Sequence, residues 1–216
     1  MRIPSQFLAL GLLCALSTSA TATVVVFSGS SLPDGPDGNV RLFDADGITI
    51  TATAEASFDG GVSWTASYLG LYADGLGVTN PNEGNGSNGR HFVDNFEGID
   101  RVVLDFSDEV MLDRVFLSAF RDTDITVGYF SEGAWNFLED NGGSYASRWA
   151  DINESGVTSA KWTISGLTAN NGATDAFNIG AIGLGTATVP DAGSSALLLG
   201  VGLGSLLAFR AARAKA

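Results

Sequence analysis

From Ile48 to Phe58 the chain reads ITITATAEASF. Ile48, Ile50, Ala52 and Ala54 fall on one side of an extended chain, and Thr49, Thr51 and Thr53 fall on the other. A period of two belongs to a β-strand with one buried face, whereas a helix would scatter these residues around its circumference. The same grammar recurs along the chain, and no long stretch repeats the 3.6-residue apolar period. Strands are expected near residues 24–28, 40–43, 62–72, 101–107, 110–120, 124–130, 133–138, 145–150, 157–164 and 176–187. Val110, Leu112, Val115 and Leu117 break strict alternation, which predicts a bulge or short turn near Asp113. The segments between are dense in Gly, Asn, Asp and Ser, the residues that turns require. About ten short strands at this spacing predict an all-β fold, a single antiparallel β-sandwich of the jelly-roll kind.

The two ends do not follow this grammar. MRIPSQFLALGLLCALSTSATA has one positive charge at Arg2, a short apolar run from Phe7 to Leu16, and an Ala20-Thr21-Ala22 end. This is the pattern of a secretory signal peptide over 1–22, with cleavage after Ala22. Cys14 raises a lipoprotein alternative, but Leu13 stands where a small residue is wanted. At the other end, Ala192–Phe209 carries no charge. As a helix it is about 27 Å long, enough for a thin hydrocarbon core. Arg210, Arg213 and Lys215 follow at once and act as stop-transfer charges, so the tail 210–216 is expected to stay in the cytoplasm. A buried core helix would explain neither the basic cluster nor the terminal position.

Between the ends lies one domain, 23–188. Setting aside Arg2, Arg210, Arg213 and Lys215 leaves 7 of the 11 basic residues, and setting aside Asp191 leaves 23 of the 24 acidic ones. The domain therefore carries a formal charge of −16, which repels nucleic acid and attracts cations. The single cysteine, Cys14, is in the signal segment, so no disulfide is expected. One histidine, His91, and no cysteine argue against zinc.

The order Val189-Pro190-Asp191-Ala192-Gly193, apolar helix (194–209), Arg-rich end closely resembles the VPDSG-CTERM sorting signal, a relative of PEP-CTERM, with Ala at 192 in place of Ser. The resemblance implies recognition by an exosortase, a membrane-embedded transpeptidase-like cysteine enzyme. It implies cutting at the motif and delivery to the cell surface or extracellular polymer matrix of a Gram-negative-type bacterium. Pro190 fits this role physically, because it forbids regular structure and leaves an extended peptide. GLGV at 75–78, an Asn/Gly-rich loop, VDN at 93–95 and VVLDF at 102–106 also resemble a β-sandwich pattern found ahead of such tails. That resemblance implies no substrate.

Residues 73–100 have almost no apolar run and read as one long loop, either functional or disordered. They hold Asp74, Asn80, Asn82, Glu83, Asn85, Asn88, Asp94, Asn95, Glu97 and Asp100. Calcium takes six to eight oxygens from such groups. The expected ligands of a structural Ca2+ are Glu83, Asp94 and Asn95, set against a merely solvated acidic loop. DINESG at 151–156 begins like an EF-hand loop, but its twelfth position is Trp162 rather than Glu. DADG at 44–47 and PDG at 36–38 read as turns. No nucleophile motif accompanies His91, and scattered carboxylates follow from composition alone, so no catalytic residue is assigned. Trp64, Trp135, Trp149 and Trp162 would either fill the core or stack on sugar rings. The leading expectation is a non-catalytic surface or matrix protein. The alternative is a surface-presented carbohydrate-binding module, calcium-stabilised, with extracellular polysaccharide as its partner.

Overall fold

The structure is a computed structural model. It describes residues 22–28, 40–84, 91–143, 145–153, 155–166 and 174–185. The signal segment up to residue 21, the motif 189–193, the span 194–209 and the tail 210–216 lie outside the described residues. Ala22 is described and exposed, and the first strand begins immediately after it.

Twelve strands follow one another, and there is no helix among the described residues. They are β1 (Thr23–Val26), β2 (Val40–Ala45), β3 (Ile48–Ser57), β4 (Thr65–Tyr72), β5 (Gly75–Thr79), β6 (Val93–Asp94), β7 (Ile99–Ala119), β8 (Ile125–Ser131), β9 (Ala134–Asp140), β10 (Arg148–Asp151), β11 (Ser159–Gly166) and β12 (Ala176–Gly185). The alternation that begins at Ile48 is realised in β3. Ile50, Ala52 and Ala54 are buried, while Thr49 is exposed and Thr51 and Thr53 are half-covered. DADG forms the β2–β3 hairpin, with Ala45 paired to Ile48 across Asp46-Gly47. Both turn residues have positive φ, at 53° and 89°. Asp-Gly tolerates that backbone, which matches the right-handed twist of the flanking strands.

All pairs between named strands are antiparallel, and they connect two groups. In one, β12 lies along the second half of β7 from Phe177↔Ala119 to Gly185↔Met111. Its other edge meets β6, β5 and β1 in turn. In the other, the first half of β7 lies between β3 and β11, and the order continues through β8 to β9. β4 also passes between groups, pairing β3 through Ala54↔Ser67 and β5 through Tyr68↔Thr79. Hydrogen bonding therefore closes a ring, β12–β5–β4–β3–β7 and back to β12. The core it encloses includes Phe27, Ile50, Leu69, Leu104, Leu112, Trp162, Phe177 and Ile179.

The break expected near Asp113 is present. Gly183 pairs with Arg114 and Leu184 with Leu112, leaving Asp113 as the extra residue of a bulge. Its carbonyl accepts a hydrogen bond from Ile152 N–H at 3.0 Å. Two expectations are corrected. Residues 101–107 and 110–120 are one strand, because Ser107-Asp108-Glu109 contains neither Gly nor Pro to end it. The stretch 73–100 is not one loop either, since it contains β5 and β6. β5 reads Gly-Leu-Gly-Val-Thr and is buried throughout. Its apolar signal is diluted by two glycines that the packing needs. A Cβ at Gly77 would collide with the carbonyl oxygen of His91.

Candidate metal centre

The site begins where β5 ends. Asn80 is fully buried, and its Oδ1 accepts hydrogen bonds from the N–H groups of Asn82 (3.0 Å) and Glu83 (3.3 Å). This is an Asx turn, the local structure that Asn favours. Glu83 closes it, its Oε2 accepting the Asn80 N–H at 2.9 Å. That fold-back carries the Glu83 carboxylate inward. Asp94, on β6, is oriented by the Phe96 N–H, which donates to its Oδ1 at 3.1 Å. Asp100, on β7, has no solvent exposure. Its Oδ1 accepts from Asn80 Nδ2 at 3.3 Å, while its Oδ2 has no hydrogen-bond partner.

Glu83, Asp94 and Asp100 each place a carboxylate oxygen within 4.8 Å of the others. Burial pushes the Asp94 carboxyl up to about 6, with Glu83 adding to the effect. Burial also pushes Asp100 up to about 9, with the charges of Asp94 and Glu83 adding. Burial thus disfavours the charged forms of Asp94 and Asp100, and a cation beside them would offset that cost. An all-oxygen set suits a hard cation such as calcium. His91 stands at the rim, its Nδ1 3.9 Å from Glu83 Oε2.

Of the three residues expected as ligands, the structure brings Glu83 and Asp94 together and sends Asn95 elsewhere. Neighbouring residues leaving a strand face opposite ways. Asn95 Nδ2 donates to Asp175 Oδ2 at 2.7 Å, and its Oδ1 accepts the Asp175 N–H at 3.0 Å. Asp175 belongs to a second acidic group with Asp122 and Asp124. There Asp124 Oδ1 accepts the Gly143 N–H at 2.6 Å, and Arg148 binds Thr123 through Nε–Oγ1 at 3.0 Å. Sequence reasoning missed this group and Asp100's place in the first. Asp122-Thr123-Asp124 is too common a spacing to announce the former, and only strand pairing brings Asp175 to it.

The remaining acidic-loop residues have other places. Asp74 lies in the β4–β5 hairpin, and Asn82 Nδ2 donates to the Glu97 carbonyl at 3.4 Å. Asn85 and Asn88 lie outside the described residues. Asp151 ends β10, and beyond it Asn153 holds the chain, its Oδ1 accepting the Val157 N–H at 2.8 Å and its Nδ2 donating to the Val157 carbonyl at 2.7 Å. Of the four tryptophans only Trp162 is fully buried, whereas Trp64, Trp135 and Trp149 are half-buried on the surface.

No family model matches the chain, and no curated protein matches its sequence. Among solved structures, a GH29 fucosidase of Ruminococcus gnavus in complex with fucose overlays 68% of this chain at 15% identity and a TM-score of 0.31. The chain spans about a quarter of that enzyme's length, 26%. A superposition of that quality assigns neither fold nor activity.

Proposed function

We propose that this is an exported, non-catalytic β domain, processed by an exosortase at Val189–Gly193, whose 80–100 corner is closed by calcium outside the cytoplasm. The fold reading within the proposal is a jelly-roll-like sandwich, with β4 and β7 bridging its two sheets. The observation that carries the proposal is Asp100, fully buried beside Asp94 and Glu83, with one carboxylate oxygen unpartnered. Extracellular calcium modules bind with a Kd of about 10⁻⁴–10⁻³ M. Such a site is empty at low cytosolic calcium and filled outside, so the corner tightens where the domain works. Glu83, Asp94 and Asp100 supply carboxylate oxygens, and Asn80 holds the turn that delivers them. The membrane helix is a temporary address in this reading, and the working chain ends near Val189.

Two measurements test it. Melting of the full chain in mild detergent, with chelator and then with 10 mM calcium, should show a rise. A Kd in the range above corresponds to about 1.5–3 kcal/mol of stabilisation. At about 2–4 °C per kcal/mol that is roughly 3–12 °C. An unchanged Tm contradicts the calcium role. Mass spectrometry of the mature protein should find a chain starting at Thr23 and ending within or beside 189–193. An intact Ala216 in the inner membrane contradicts the sorting role.

A further inference from the structure

The outward face of the β3–β7–β11–β8–β9 sheet carries a polar row where strand alternation would place a solvated one. Residues directly opposite across a sheet share a face. Glu139 faces Thr126, Thr126 faces Ser165, Ser165 faces Arg101 and Arg101 faces Glu55. Yet Thr126 and Ser165 are only 3% and 5% exposed. Aromatic walls cover them. Trp135 and Phe137 rise from β9, two residues apart and therefore on one face. Trp64 stands at the end of the 58–64 turn. Together with Arg101, whose guanidinium is stacked on Trp64, these rings line a cleft of about 470 Å3, within the size range of small-ligand sites.

The walls are set in place in advance. Asp59 Oδ1 accepts the N–H groups of Val62 (3.1 Å) and Ser63 (2.9 Å), and Ser57 Oγ donates to it at 2.8 Å. Trp64 Nε1 donates to the Gly61 carbonyl at 3.1 Å. The Arg101 guanidinium lies 3.6 Å from the Trp64 ring centroid and 5.5 Å from that of Trp135. Its Nε donates to Glu55 Oε2 at 2.7 Å, which neutralises its charge. Gly128 opposes Phe137 and leaves room for its ring, since a Cβ there would come within 3.1 Å of it. Phe137 nevertheless remains 58% exposed.

We propose that this cleft binds a neutral oligosaccharide. A sugar ring has an apolar C–H face and a hydroxyl edge. Aromatic walls accept the face, and a floor of hydroxyls, a guanidinium and a carboxylate accepts the edge. The charge of the site favours a neutral glycan over an anionic one. Arg101 is already matched by Glu55, Glu139 also lines the cleft, and the domain carries −16 overall. The proposal deepens the reading of the chain as a non-catalytic extracellular domain and rests on it. The calcium and mass-spectrometric tests report on that reading whether or not sugar binds.

The test is a panel of immobilised neutral oligosaccharides (gluco-, manno-, xylo- and galacto-oligomers) with uronate oligomers and an unbiased peptide library beside it. The full chain is applied in mild detergent. At least one neutral class should bind. Trp135→Ala should weaken it more than tenfold and Phe137→Ser severalfold, with the calcium-dependent Tm shift retained in both. Trp149→Ala, on the other strand group, should leave binding unchanged. The proposal is overturned if no neutral glycan binds, if only uronate oligomers or peptides bind, or if neither cleft variant alters binding.

Discussion

Asp100→Asn should make the calcium-free protein more stable and the calcium-loaded protein unresponsive. The amide keeps the oxygen that accepts from Asn80 Nδ2 at 3.3 Å but can never ionise. In the native fold burial holds the Asp100 carboxyl at about 9, against an ordinary 3.8. At pH 7 the folded protein therefore keeps a proton that the unfolded chain releases. Holding it costs about 1.4 kcal/mol per pH step between 3.8 and 7, or as much as about 4 kcal/mol. Asn removes that cost. At about 2–4 °C per kcal/mol, Tm in chelator should rise by up to about 16 °C. In 10 mM calcium the wild type gains stability and the variant, lacking a ligand, should not. The assay is thermal melting of the full chain in detergent, in both conditions, followed by near-ultraviolet circular dichroism. A variant that is less stable than wild type in chelator and still shifts with calcium would refute both the electrostatics and the ligand role.

The same carboxyls set a pH dependence. Asp94 and Asp100 are raised to about 6 and 9, so between about pH 4 and 9 the folded state holds more protons than the unfolded one. Stability without calcium should then fall as pH rises, with Tm in chelator higher at pH 5 than at pH 8. Calcium should narrow or reverse that order, because protons compete for its ligands. Identical melting at the two pH values in chelator contradicts this. Gly77→Ala should destabilise by about 1–3 kcal/mol or more, since the added methyl meets the backbone of His91. Chemical denaturation measures it, and a neutral effect would place that contact elsewhere.

The strands were legible because one-sided burial writes itself as alternation, as in β3, and Asp46-Gly47 marks the two-residue hairpin that joins β2 to it. The bulge at Asp113 was legible for the same reason, since a break in alternation has to be absorbed by an extra residue. β5 was not legible. Its glycines pack backbone against backbone, and a contact without side chains leaves no hydrophobic signal. The metal corner was half legible. Glu83 and Asp94 stood out in an acidic, turn-rich stretch, but Asp100 stood there as one more loop acid, and only its place on β7, paired to Ala56, turns it inward. Asn95 is adjacent to Asp94 in sequence and yet belongs to Asp175, 80 residues away. Spacing along the chain does not report which side of a strand end a residue leaves from. The tryptophans show the same limit. Trp64 and Trp162 are indistinguishable as letters, yet the 58–64 turn puts one in a cleft wall and the register of β11 puts the other in the core.

The central claim is that Glu83, Asp94 and Asp100 hold a cation. The most direct measurement is an anomalous difference map from crystals of the mature protein grown in calcium. A peak is expected among these three carboxylates, with oxygen distances of about 2.3–2.6 Å. A featureless map at that corner, with or without a peak at Asp122, Asp124 and Asp175, would contradict it.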